Sequence, residues 1–130
     1  MNLTEAIAKL SALIAANPYN VNPVEHNEMQ TCLYTGYDGE SHCIVGQLGT
    51  DEGWNIPGPG EPGDYANDMD EWGWPIGQDT ADYLAAVQLI ADGPLGGPPI
   101  PWGAIVLPDP VEVKRTADAK RETEREDFGY

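Results

Sequence analysis

The chain has 130 residues, enough for one domain, and carries 22 acidic residues against six lysines and arginines, a formal charge of −16. Hydrophobic residues make up 41% of it, which is sufficient for a compact core despite the charge, so wholesale disorder is not forced. No apolar run is long enough to span a bilayer, the first residues lack the basic start and continuous apolar run of a signal peptide, and so acidic a surface repels phosphates and anionic lipids; the expectation is a cytoplasmic protein with no direct hold on nucleic acid or membrane.

Leu3, Ala6, Ile7, Leu10, Leu13 and Ile14 recur at the spacing of one helical face and predict a helix over 2–16. Asn2 with Glu5 forms a start resembling a capping box, and Asn17-Pro18 is a stop. Prolines and asparagines make 18–27 extended and loop-like. Thr31, Cys32, Leu33, Tyr34 and Thr35 favour a strand, and Gly36-Tyr37-Asp38-Gly39 supplies turn chemistry after it. Residues 41–48 then read either as a returning strand or as a short helix capped by Ser41.

Four glycines and three prolines within 53–63 exclude regular structure there. The loop continues to Gly77, with Tyr65, Met69, Trp72 and Trp74 mixed among acids and packing partly on the core. Asp79 or Thr80 is the expected cap of a helix over 79–92 that carries Tyr83, Leu84, Val87, Ile90 and Ala91 on one side and ends at Gly93-Pro94. After a second cluster of breakers, 102–107 is a short buried apolar segment. Residues 116–127 are helix-prone but have only alanines at their apolar positions, so this segment is exposed or disordered until something binds it.

Charge is unevenly placed. Residues 1–110 hold one base, Lys9, against sixteen acids; Lys114, Arg115, Lys120, Arg121 and Arg125 all fall in the tail. Between Asp51 and Asp82 there are nine acids and no base. Such a stretch is a solvated face that keeps a protein soluble or, in the sharper reading, an imitation of nucleic acid.

No constellation carries an evident reaction. His26, Cys32, His42 and Cys43 are the soft metal ligands, but they lack a C-x₂-C pair, and adjacent His42-Cys43 suits one tetrahedral ion poorly. A disulfide between Cys32 and Cys43 requires both on facing strands, and a reducing cytosol would open it, so small buried side chains are the preferred reading for both. Ser41-His42-Cys43 places nucleophile and base types side by side in sequence, which is not a converging triad. Residues 64–71 offer oxygen ligands without the sixth-position glycine and twelfth-position acid of a calcium-binding EF-hand loop, and prolines disqualify 58–63 as a phosphate loop.

One pattern is more distinctive. Cys32-Leu33-Tyr34, then Asp38-Gly39, then Cys43-Ile44-Val45-Gly46-Gln47-Leu48, followed by Val87-Gln88, Asp92-Gly93 and Trp102-Gly103-Ala104, resembles small uncharacterised proteins of actinobacteria and their phages. The likeness covers residues 3–50 and 79–105. It implies a helix after the second cysteine, hence helix over 43–48 here, ended early at Gly49 before an inserted acidic loop. It implies an origin and no activity.

These readings predict a small α+β domain, mainly α-helical, with a short β-element near 31–44 and long Gly/Pro-rich loops. Residues 1–110 form the compact unit with an acidic loop over 51–78, and 111–130 form a charged exposed tail. Leu3, Ile7, Leu10, Ile14, Leu33, Ile44, Leu48, Leu84, Val87 and Ile90 are the expected core. The expected function is that of a non-catalytic, phage-encoded acidic protein that binds and modulates a host protein through Trp54, Tyr65, Asp68, Asp70, Glu71, Trp72 and Trp74, with no cofactor and no metal. The alternatives are a nucleic-acid mimic seated in the basic site of a DNA-binding host protein and a hydrolase using a divalent ion at Asp68 and Asp70. The tail offers a contact for a partner or for a second copy of the chain.

Overall fold

Helix α1 (Leu3–Ala16) is closed at both ends by asparagine: the Asn2 side-chain oxygen accepts from the Glu5 amide at 2.8 Å, and Asn17 donates to the Leu13 carbonyl through both its amide and its side chain. The computed structural model describes residues 1–21, 43–54, 69, 72–93 and 100–127, with side chains as far as residue 123. Its other helices are α2 (Ile44–Glu52), α3 (Gln78–Asp92) and α4 (Pro110–Asp127), with one 3₁₀ turn at Trp102–Ala104. Helices α1, α2 and α3 pack on one another in pairs, the 3₁₀ turn lies against α1, and α4 lies along α3.

The core is where the three shorter helices meet. Ala6 and Leu10 of α1, Ile44, Val45 and Leu48 of α2, and Tyr83, Leu84, Val87 and Ala91 of α3 are buried, joined by Met69, Trp74, Trp102 and Ile105. Leu3, Ile7, Ile14 and Ile90 flank this centre half-buried, and Leu33 lies outside the described residues.

The expected α+β class is corrected. Among the described residues there is no strand, and the β-branched pair Ile44-Val45 opens a helix. The strand preference of such residues spans only about 1 kcal/mol and depends on context, whereas burying each of these side chains between α1 and α3 contributes roughly 1.5–3 kcal/mol. The rest of the expected β-element, 31–42, lies outside the described residues. Helix α2 also passes through Gly49 instead of ending there. It stops at Gly53, whose φ of 74° is the left-handed conformation that lets the Gly53 amide reach Thr50 O and the Trp54 amide reach Gly49 O.

Helix α3 starts one residue before the expected range, with Gly77 as its cap, which leaves Asp79 exposed and Thr80 buried. Its far end is tied by the Ile100 amide, which donates to Ala91 O at 3.1 Å. Beyond it, the amides of Trp102 and Gly103 donate to Asn20 O at 2.7 Å and Pro18 O at 2.8 Å, stitching the 3₁₀ turn to the segment after α1. Gly103 is required by this approach: a Cβ there would stand 2.8 Å from both the carbonyl oxygen and the Cβ of Pro18.

Helix α4 begins earlier than the helix-prone stretch at 116–127. Asp109 caps it, its side chain accepting from the Val111 amide at 2.9 Å and its carbonyl from Val113 at 3.0 Å, and Pro110 occupies the first turn, where no amide donor is needed. The Tyr83 hydroxyl donates to Pro108 O at 2.8 Å and anchors the approach to this helix.

Candidate functional site

The arrangement at the end of α2 follows from the Gly53 cap, which folds Trp54 back toward the body of the domain. There it meets Trp74, which is 4% exposed and whose amide donates to Met69 O at 3.1 Å. The Trp54 and Trp74 rings lie 5.1 Å apart at 47°, and Trp72 and Trp74 lie 5.7 Å apart at 55°. Both are tilted contacts in the favourable range, worth about 0.5–1.5 kcal/mol each beyond their burial. Of the expected anchors Trp54, Tyr65, Trp72 and Trp74, the last is the buried centre of the cluster, while Trp54 and Trp72 flank it half-buried and keep part of their surface toward solvent. Tyr65, Asp68, Asp70 and Glu71 lie outside the described residues.

The acidic face is partly neutralised from within. Four of the nine acids between Asp51 and Asp82 are described, and each has a partner in the chain: Asp51 accepts from Gln47 at 2.8 Å, Glu52 pairs with Lys9 at 2.5 Å, Asp79 with Lys114 at 3.1 Å, and Asp82 with Arg121. Hydrogen bonding to Glu52 raises the Lys9 ammonium above its usual range, and Asp79 with Asp118 does the same for Lys114. Burial, with a lesser contribution from Asp109, pushes the Tyr83 phenol upward as well.

A polar group that sequence reasoning missed is Gln88, fully buried on α3. Its Oε1 accepts from the Val45 amide at 3.4 Å, and its Nε2 donates to Asp92 at 3.3 Å. Cys43 precedes α2 without capping it through its side chain, so Gln88 satisfies one of the free amides of that helix start from another element. Its place in the 87–88 part of the pattern noted above was one available signal and helical spacing another, since Gln88 lies four residues after Leu84 and three before Ala91 on the apolar side; its polar type kept it out of the expected core.

Cys43 is fully buried and disulfide-bonded, which corrects the preferred reading of a reduced thiol; the sequence has one other cysteine, Cys32, outside the described residues. His26, Ser41 and His42 also lie outside them. Among the described residues no three His, Cys, Asp or Glu side chains converge as a metal-binding set, and no helix is long and apolar enough to cross a membrane. No family model matches the chain, and neither a curated protein nor a solved structure matches it.

Proposed function

We propose that this chain is a non-catalytic, phage-encoded acidic protein that binds a host protein and modulates it. The observation that supports the reading is the tryptophan cluster: two half-buried indoles, Trp54 and Trp72, held against a buried third. Aromatic groups already held in place lose little entropy on contact, and tryptophan is enriched among residues that dominate interface energies. The phage origin rests on the sequence pattern alone.

Affinity capture from host lysate, followed by titration with the recovered protein, tests this. A saturable partner whose binding weakens tenfold or more with Trp72→Ala supports the reading, since loss of a central aromatic anchor costs about 2 kcal/mol or more. Recovery of no saturable partner, or of one indifferent to both Trp54→Ala and Trp72→Ala, counts against it. Mimicry of nucleic acid is the weaker reading, because the described acids of the face are engaged within the chain.

The compartment belongs to the same proposal. The expected host cytoplasm keeps most cysteines reduced, and the bond at Cys43 pulls toward an oxidising medium. Alkylation and mass measurement on protein taken directly from producing cells decides between them: an alkylated Cys43 keeps the cytoplasmic placement, and a protected one removes it.

A further inference from the structure

Helix α4 is attached to α3 by a thin apolar stripe and a row of ion pairs. Val113, Ala117 and Arg121, four residues apart, form a half-buried inner stripe, and beside them runs a chain of alternating charges. Asp79 pairs with Lys114 at 3.1 Å, Lys114 with Asp118 at 3.5 Å, Asp118 with Arg121 at 3.1 Å, and Arg121 with Asp82. Asp79 and Asp82 belong to α3; the other three belong to α4.

The weak point of this chain is Asp82. Its side chain is 6% exposed, and Oδ1 receives both Arg121 and the Gln78 amide group, the latter at 3.0 Å. Its Oδ2 is buried with no hydrogen-bond partner among the described residues. A buried carboxylate oxygen without a donor is costly. The cause is visible in the geometry: Arg121 sends Nη2 to Asp82 and Nη1 to Asp118, so its two-pronged end is divided between two carboxylates. An arginine free of Asp118 can serve both oxygens of Asp82 as a bidentate pair, the stronger arrangement.

We propose that the Asp79–Asp82 edge of α3 is a seat for an arginine-bearing helical segment of a partner protein, and that α4 occupies this seat in cis as a displaceable strap. The proposal deepens the protein-binding reading above and rests on it. Charge complementarity selects the occupant: residues 1–110 contain sixteen acids and one base, so a segment bringing arginine to the buried Asp82 finds little competition except from α4. Asp118 keeps the strap submaximal by drawing on Arg121. A partner helix without that acid can offer its arginine to both oxygens of Asp82, which offsets the advantage the strap has from being in cis.

The test uses the full chain and a fluorescein-labelled alanine-based helical peptide with arginines four residues apart, read by anisotropy. Arg121→Gln loosens the strap and is expected to bind the peptide about tenfold tighter than the unmodified chain, the gain when a seat open a tenth of the time becomes open throughout. Asp118→Ala takes one competitor away from Arg121 but also breaks the Lys114–Asp118 pair, so it is expected to bind the peptide more weakly than Arg121→Gln does. Asp82→Asn removes the seat and abolishes binding, with helical circular dichroism retained as the check on folding. Hydrogen exchange over residues 113–123 should rise when the peptide binds. Equal affinity across the four proteins, or binding with no change in exchange over 113–123, overturns the proposal. Failure of the peptide to bind even Arg121→Gln overturns it too, yet leaves capture of a host protein through Trp54 and Trp72 as a separate result.

Discussion

The three-helix body and α4 are held by different physics. In the body, Leu10, Ile44, Leu48, Leu84 and Val87 are removed from water almost completely, and the attraction is not screened by salt. Helix α4 contributes two half-buried apolar side chains and a row of ion pairs whose members, apart from Asp82, are about half-exposed. Exposed pairs are worth roughly 0–1 kcal/mol each and are screened within about 8 Å at physiological ionic strength. The body is built to persist, and the strap to be exchanged.

The comparison breaks most visibly at a core leucine. Leu84→Ala should cost about 2–5 kcal/mol and lower Tm by about 10 °C or more in calorimetry. A change of only a degree or two would mean the body is not the stable part. Gly103→Ala comes next: the added methyl meets the Pro18 backbone, and about 1–3 kcal/mol of strain is expected in a denaturant titration, with the slope unchanged.

Tyr83→Phe sharpens the comparison at the boundary between the two regions. Losing the hydroxyl that donates to Pro108 O should cost about 1 kcal/mol and increase hydrogen exchange at the start of α4 more than in α1. Alkali acts on the same residue. The Tyr83 phenol and the Lys9 and Lys114 ammonium groups all titrate above their ordinary values of 10.0 and 10.5 in the folded chain. Groups raised in this way contribute stability that is complete below the ordinary values and lost as pH rises through the folded ones. Tm should therefore begin to fall near pH 10, and less steeply in Tyr83→Phe. The smallest effect is expected from deleting residues 114–130: Asp82 regains water as Arg121 leaves, so Tm should drop by no more than roughly 2–3 °C, and 1 M NaCl should reproduce part of the loosening without melting the body.

What the sequence disclosed depended on how far each element looks along the chain for its partners. Helix α1 was legible because Asn2, Glu5 and Asn17 close it locally and its apolar stripe is regular. Helix α3 was legible to within one residue from its apolar stripe and the Gly93 stop, although the expected cap at Asp79 or Thr80 gave way to Gly77. The extent of α2 was not: two interior glycines and β-branched residues obscure a helix whose end depends on the left-handed turn at Gly53 and whose start depends on Gln88. The beginning of α4 was locally encoded by Asp109-Pro110, but its polar composition hid an inner stripe that has meaning only once α3 lies beneath it. At the candidate site, aromatic composition pointed to the three tryptophans, whereas the burial of Trp74 between Trp54 and Trp72 required the Gly53 turn to bring them together.

The long reach of Gln88 has a consequence for the order in which the chain can acquire structure. Helix α1 carries its own caps and can form as soon as it leaves the ribosome, although at 14 residues it remains marginal alone. Helix α2 has nine residues, and the Val45 amide waits for an acceptor 43 positions further on. During vectorial synthesis α2 therefore stays uncommitted until α3 has emerged, and the body closes as one cooperative step around Gln88 rather than growing helix by helix.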